Sequence, residues 1–192
     1  MNVIARDFTP TREQISLHGL GFIQVKLPAN RRLHVWHPDI PRRACFEHSP
    51  IHNHRFSFRS TVLVGTQVNR RYNVIEFSPD NAIASHDRIS HDGPRSPAGG
   101  RESFVAGSAV VDALPDEHYG PGESYEMPIA QYHETPNSGV VVTLMEKLIE
   151  SIDFHASTLI ERGHTFDQGF NRFQWTEMKL WGVVLDALRG CA

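Results

Sequence analysis

The sequence has few cysteines, no long apolar run and little imbalance of charge, and each absence excludes a class of protein. Its 2 cysteines, Cys45 and Cys191, are too few for a disulfide framework, which favours a reduced compartment. No stretch of 18 apolar residues occurs, so no membrane-spanning helix is predicted. With 19 Lys and Arg against 22 Asp and Glu, the formal net charge is -3, and no basic stripe indicates nucleic-acid binding.

The remaining bulk features indicate a globular protein. The stretch MNVIARDFTPTREQ has no basic region followed by an apolar run, so no secretory signal is expected. The chain has 192 residues, of which 40% are hydrophobic, and we therefore expect one core and a single domain over residues 1–192. Together with the cysteine content, these features predict a soluble, cytoplasmic protein.

Short segments of β-branched and alternating apolar residues recur along most of the chain. FIQVKL over 22–27 and RRLHVWHP over 31–38 flank Pro28-Ala29-Asn30 and predict a hairpin. Further strands are predicted at about 54–65, 68–77, 103–115, 140–147 and 155–162. This pattern predicts an all-β barrel or sandwich with a core over about residues 22–162.

Three segments depart from the strand pattern. TREQISLH over 11–18 predicts a short N-terminal helix, with Thr11 as its cap. Residues 78–100 are rich in Pro, Gly, Ser and Asp and have no apolar period, which predicts a long surface insertion. A C-terminal amphipathic helix is predicted over about 170–190, packed on the sheet or, as the alternative, in a dimer contact. Its apolar stripe consists of Trp175, Met178, Trp181, Leu185 and Leu188.

The most informative segment is His52-Asn53-His54. On an extended strand, two residues that are two positions apart point to the same face, so both imidazoles can converge on one ion. Neutral imidazole is a preferred ligand of zinc, iron, copper and nickel. His133 lies far downstream and offers a third ligand. The three histidines predict a metal pocket inside a small β-barrel.

The spacing around His133 has a recognisable pattern. Gly122 is followed after five residues by Pro128, then by Ala130, His133 and Asn137 at intervals of one, two and three residues. This resembles the second conserved motif of the cupin superfamily, G, five residues, PxG, two residues, H, three residues, N. Only Ala130 departs from it, since the motif has glycine there.

The first cupin motif is also matched in part. Its two histidines and its final glycine correspond to His52, His54 and Gly65, whereas Phe46 stands at the leading glycine. The resemblance covers roughly residues 45–147 and implies a cupin β-barrel, also called a double-stranded β-helix or jelly roll. It also implies a homodimer. The motif glutamate, normally a metal ligand, is missing, because Phe58 and Arg59 occupy its two permitted positions.

The resemblance implies a metal site formed by His52, His54 and His133, with a divalent transition metal (iron, zinc, nickel or manganese) and a small-molecule substrate. A site of three histidines without carboxylate is similar to that of the thiol dioxygenases. The leading hypothesis is therefore a metal-dependent enzyme, such as a three-histidine dioxygenase-type oxidoreductase. Cupins have many functions, so a non-catalytic ligand-binding or sensor protein, with or without metal, is the alternative.

Several other residues are weaker candidates. Arg59, Arg70 and Arg71 offer guanidinium groups for a substrate carboxylate, although solvated positions are expected for at least two of them. Cys45 precedes the first motif but has no assignable base. His34 and His37 are expected to be structural or exposed, and His86 or His91 is a candidate for a residue that covers the mouth of the barrel.

Overall fold

The computed structural model describes residues 14–190, which are built from β-strands and one C-terminal α-helix. The strands are β1 (Ile15–His18), β2 (Phe22–Leu27), β3 (Arg31–Trp36), β4 (Phe56–Val64), β5 (Gln67–Phe77), β6 (His86–Ser90), β7 (Phe104–Ala113), β8 (Glu117–Tyr119), β9 (Ser124–Met127), β10 (Tyr132–Glu134), β11 (Val141–Glu150) and β12 (Ser157–Glu161). The helix is α1 (Glu177–Arg189), and a short 3-10 helix covers Ala44–Glu47.

The strands form two antiparallel sheets. The first sheet has the spatial order β1–β2–β3–β11–β4–β9, and the second has the order β10–β5–β7–β6–β12, with β8 paired to β5. His52 joins the two outer strands of the second sheet, because it forms antiparallel bridges with His133 on β10 and Thr158 on β12. The predicted all-β class with a C-terminal helix is confirmed, and the two antiparallel sheets are consistent with the predicted jelly roll of the cupin type.

The largest apolar core lies on the outside of the first sheet. Leu17, Val25 and Val35 are at most 1% exposed and pack under Leu180 and Val184 of α1. Side chains alternate between the two faces of a strand, so the same strands turn their other residues toward the second sheet. The inner face therefore contributes little to the main apolar core and can carry polar side chains.

The predicted C-terminal helix is confirmed, but it is shorter than predicted, and only Trp175, Trp181 and Leu188 of the predicted stripe pack against the core. It begins after Thr176, whose hydroxyl caps it by accepting from the Lys179 amide N–H at 3.3 Å. Met178 and Leu185 of the predicted stripe are 85% and 48% exposed. The fully buried residues are Leu180, Val184 and Ala187.

The choice of stripe has a physical reason. Apolar residues occur on more than one side of this helix, and contact with the sheet decides which side is buried.

Within residues 14–190, no helix has the length and apolarity needed to cross a membrane.

The predicted N-terminal helix is wrong where the structure describes it. Residues 15–18 form β1, which pairs with β2 through the register Ile15↔Val25 to His18↔Phe22. The alternation of Ile15 and Leu17 directs both side chains into the core under α1, and this tertiary burial overrides the local capping signal. The earlier part of the predicted helix, residues 11–13, lies outside the described residues. The core thus starts before residue 22.

The prediction of a surface insertion over 78–100 is also wrong in part. This segment contains β6 (His86–Ser90), which lies between β7 and β12 in the second sheet. Its sequence HDRIS has one apolar residue, Ile89, which is only 4% exposed. A strand with a single apolar residue has no visible period, so only its pairing with two neighbours specifies it.

The predicted hairpin is confirmed. β2 and β3 pair in register from Phe22↔Trp36 to Leu27↔Arg31. Ala29 and Asn30 between them have φ values of 59° and 56°. A turn with positive φ at both central residues matches the right-handed twist of the strands that it connects.

Candidate metal centre

Backbone pairing brings His52 and His133 side by side. The His52 N–H donates to the His133 carbonyl at 3.0 Å, and the His133 N–H donates to the His52 carbonyl at 2.9 Å. Residues directly opposed in an antiparallel pair present their side chains on one face. His54 follows two residues later and turns to the same face, while its carbonyl accepts from the Ala130 N–H at 3.0 Å.

The three imidazole rings form one cluster. Their centroids are separated by 4.8 Å for His52 and His54, 4.5 Å for His52 and His133, and 5.3 Å for His54 and His133. The Nε2 atoms of His54 and His133 lie 3.2 Å apart. One ring nitrogen of each histidine lies within 4.8 Å of the others. The structure thus brings together the three residues that the sequence singles out.

Hydrogen bonds fix which nitrogens face the centre of the cluster. The Nδ1–H of His52 donates to the Pro50 carbonyl at 2.9 Å, which leaves its Nε2 with a free lone pair. The Nδ2 of Asn69 donates to the Glu117 carboxylate at 2.7 Å, so Asn69 Oδ1 must face His133. His133 Nδ1–H donates to that oxygen at 2.9 Å, and its Nε2 lone pair points at His54.

All three imidazoles are held neutral by burial. Desolvation lowers the pKa of His52 to about 4, partly opposed by its hydrogen bond to Pro50. Desolvation also lowers the pKa of His54 and of His133 well below the usual value, and each is lowered further by the neighbouring imidazoles. A neutral imidazole with an exposed lone pair is the form that binds a metal ion.

The donor set fits a divalent transition metal. Two nitrogens held about 2.1 Å from one ion, at octahedral or tetrahedral angles, lie about 3.0–3.4 Å apart. The 3.2 Å between the Nε2 atoms of His54 and His133 falls in this range. Hydrogen bonds from the outer ring nitrogens of metal-binding histidines to carbonyl or carboxamide oxygens are a recurrent support of such sites.

The position of the missing glutamate is occupied by an aromatic wall. The ring of Phe58 lies 5.2 Å from the ring of His54 and 6.2 Å from that of His133, centroid to centroid. Phe58 belongs to an apolar cluster with Tyr125, Met127 and other residues. Arg59 points away and forms an ion pair with Glu126 at 2.7 Å. The histidine cluster therefore has no carboxylate neighbour at this position.

The cluster opens into a cavity of about 840 Å³ between the two sheets. This volume lies within the range of small-molecule sites, about 300–1,000 Å³. Its wall includes four more imidazoles, those of His18, His34, His91 and His155, and the guanidinium groups of Arg32 and Arg172. The cavity is thus unusually polar for the interior of a β fold.

Sequence reasoning missed most of these wall residues. His34 was expected to be structural or exposed, but it lines the cavity, and burial lowers its pKa to about 3. The alternation of β3 does put Arg32, His34 and Trp36 on one face. Only the docking of α1 against the other face shows that this face turns inward.

The candidate arginines Arg59, Arg70 and Arg71 do not line the cavity. Each is paired elsewhere: Arg59 with Glu126, Arg70 with Asp116 and Glu134, and Arg71 with Glu117. Cys45 is buried outside the cavity, and its burial raises the pKa of its thiol, so it is protected from reaction.

Only one of the two histidines that were candidates for the barrel mouth lies at the cavity. His91 lines the cavity and is hydrogen-bonded through Nδ1 to Ser103 and through Nε2 to Thr158, both at 2.7 Å. His86 lies outside the cavity wall and is hydrogen-bonded to Ser85 at 2.8 Å.

The fold and the site together define a double-sheet antiparallel β protein with three histidines at the wall of a polar cavity. No protein-family model and no curated protein matches the chain. One similar solved structure is a hydroquinone 1,2-dioxygenase from Sphingomonas sp. TTNP3 with 4-hydroxybenzoate bound. The identity is 8%, the TM-score is 0.33, and the match covers 78% of this chain and 72% of that one. A likeness at this level supports no conclusion on function.

Proposed function

We propose that the protein binds a divalent transition metal through His52, His54 and His133 and acts as a metal-dependent enzyme on a small molecule in the cavity. The reaction class that we propose is that of an oxidoreductase of the three-histidine dioxygenase type. One observation carries the proposal: three neutral imidazoles, one buried and two half-buried, bring their ring nitrogens within 4.8 Å of one another beside a cavity of about 840 Å³.

The residues of this chain prepare the site for a metal. Pro50 and Asn69 hold His52 and His133 in the tautomer that presents Nε2, so little reorganisation is needed on binding. Neutral ligands leave the full charge of the ion available to polarise a substrate. A bound iron would supply both Lewis acidity and redox chemistry to molecules in the cavity. Phe58 keeps one side of the site apolar.

The alternative is a non-catalytic ligand-binding or sensor protein, and one observation favours it. His54 Nε2 and His133 Nε2, at 3.2 Å, satisfy each other as donor and acceptor without an ion. The same three histidines would then be polar groups of a binding cavity, next to the aromatic wall of Phe58.

Metal analysis of the purified protein distinguishes these functions. We expect close to one equivalent of a transition metal per chain, lost in His133→Ala. His48→Ala is the matched control, because His48 belongs to a second, exposed group with Glu161 and His164 that could also hold an ion. Metal content that follows His48 and ignores His133 would refute the proposed site.

Oxygen uptake then tests the reaction class. Iron-loaded protein is supplied with candidate thiols or diketones, and turnover that disappears in His133→Ala supports the oxidoreductase. Tightly bound zinc, or no metal, together with no oxygen uptake favours the non-catalytic alternative.

Three further expectations also stand as proposals. We propose that residues 1–192 function as one domain, that the protein is a homodimer, and that it is cytoplasmic. Light scattering on the full chain measures the mass and tests the second of these.

A further inference from the structure

The cavity wall carries an excess of positive charge. It contains seven Lys and Arg residues but only two carboxylates, Asp92 and Glu150. Both carboxylates are already engaged: Glu150 with Arg55 at 2.7 Å and Lys147 at 2.8 Å, and Asp92 with His155 at 2.9 Å. The other five cationic residues of the wall form no ion pair with these carboxylates.

Three of these cations, Arg32, Arg95 and Arg172, form no ion pair within residues 14–190. Arg32 donates to the side-chain oxygen of Gln24 at 3.1 Å. Arg95 and Arg172 both direct Nη1 at one oxygen, the Gly99 carbonyl, at 3.2 Å and 3.5 Å. Two guanidinium groups that share a single neutral acceptor lie close together, and each retains donors for another acceptor.

These arginines come from three separate parts of the chain. Arg32 lies on β3 of the first sheet, Arg95 on the loop after β6, and Arg172 on the segment before α1. The loop is fastened to the last segment, because the Arg172 N–H donates to the Ala98 carbonyl at 3.0 Å. Burial, followed by the charges of Arg95 and Arg32, lowers the pKa of Arg172 to about 10. Glu150 offsets part of this repulsion at Arg32, but none of the three arginines forms an ion pair within residues 14–190.

A further polar group faces the same space. His34 Nε2 is buried and, within the described part of the chain, has no hydrogen-bond partner. His34 lines the cavity two residues after Arg32 on the same face of β3. The Arg32 guanidinium carbon lies 5.4 Å from the centroid of the Phe56 ring, which is itself 5.1 Å from the ring of His54, so Arg32 lies near the histidine cluster. A buried nitrogen without a partner calls for an acceptor or donor from a ligand.

We propose that the cavity binds a small organic anion, that Arg32, Arg95 and Arg172 hold its carboxylate or phosphate group, and that His34 forms a further hydrogen bond to it. Guanidinium groups match the planar, bidentate geometry of these oxyanions. The organic part of the anion then extends toward His54. The anion site depends on the arginines and His34 and needs no metal, and only its identification with the substrate site rests on the proposed function.

Binding to metal-free protein tests the anion site separately from the metal. Calorimetry is performed after removal of metal with a chelator, at constant ionic strength, with benzoate, phenyl phosphate and inorganic phosphate as anions and benzamide as the neutral isostere of benzoate. We expect at least one of the three anions to bind about tenfold more tightly than benzamide. The preference between benzoate and the two phosphates identifies the oxyanion class.

Substitutions assign the binding to the arginines. Arg95→Gln and Arg32→Gln should each weaken binding of the preferred anion by about tenfold, because each removes a charged donor. Arg95 is exposed, so its variant tests the site without risk to the core. Arg189→Gln is the matched control, because Arg189 is exposed and paired with Asp186 at the end of α1. Its affinity should stay within about twofold of wild type.

Three results would overturn the proposal: no anion preferred over benzamide, equal loss in Arg189→Gln, or unchanged affinity in both Arg32→Gln and Arg95→Gln. Failure of the proposed function gives a different pattern, since the protein would then contain no metal bound through His133 but would still bind the anion.

Discussion

Asn69 is the residue through which the metal proposal can be tested without touching a ligand. Its side chain is fully buried and connects two groups, accepting from His133 Nδ1–H at 2.9 Å and donating to the Glu117 carboxylate at 2.7 Å. The chain of contacts fixes the tautomer and the ring orientation of His133. Asn69→Leu keeps a similar volume but removes both hydrogen bonds.

Two effects of Asn69→Leu follow from these contacts. A buried His133 N–H without an acceptor costs about 1–3 kcal/mol of unfolding free energy. For a chain of this size a loss of about 2 kcal/mol lowers the Tm by about 4–8 °C. Loss of the orienting hydrogen bond should also weaken metal affinity by about 10–100-fold.

The assay is a competitive titration of metal-free protein with zinc against a chromophoric chelator, with thermal unfolding recorded on the same samples. Asn73→Leu is the matched control, because Asn73 is an exposed residue on the same strand, β5. Asn69→Asp restores an acceptor for His133 and should recover part of the lost affinity. It remains less stable than wild type because the new carboxyl group lies beside Glu117.

The outcome that refutes this reasoning is unchanged zinc affinity in Asn69→Leu together with a lowered Tm. Asn69 would then have a packing role only, and the orientation of His133 would not contribute to metal binding.

Two further predictions concern backbone strain and acid stability. Ala130 has a φ of 66°, which is unfavourable for a residue with a Cβ, so Ala130→Gly should raise the unfolding free energy by about 0.5–1 kcal/mol in urea titrations. Ala113→Gly, on β7, should lower it, and a loss in both variants would contradict the reasoning. Desolvation lowers the pKa of His91 to about 4, so the unfolded chain binds its proton first, and stability should fall as the pH drops from about 6.5 to 4. His91→Gln should reduce this slope by about one proton, and an unchanged slope would show that His91 does not contribute.

The strands that were easiest to predict from the sequence are those in which apolar and polar residues alternate several times. The pair β2 and β3, joined by Pro28-Ala29-Asn30, was predictable because the period and the turn residues agree. β1 and β6 were missed for opposite reasons. β1 has a local capping signal that favours helix, and β6 has too few apolar residues to show a period. β1 is specified by pairing with the adjacent β2 and by burial under α1, whereas β6 is specified by pairing with β7 and with the distant β12.

For the candidate metal site, the ligand residues were predictable from the sequence but their hydrogen-bond partners were not. His52 and His54 could be placed on one face from strand parity, and the spacing around His133 connected them to a known motif. The tautomer of His133 could not be predicted, since it depends on Asn69 and Glu117, and no sequence pattern connects these two residues with His133. The metal itself stays a prediction.

The sequence by itself determined the all-β class and the three candidate histidines, because these depend on residue type and on spacing within one strand or one motif. The resemblance to the cupin motif added the expectation that Phe58 stands where that motif has a glutamate. Only the tertiary structure decided which face of the first sheet is the interior. Helix α1 covers the apolar face with Leu180 and Val184, so the opposite face, with Arg32 and His34, lines the cavity. Alternation defines two faces of a strand, but it is packing against another element that selects which one is buried.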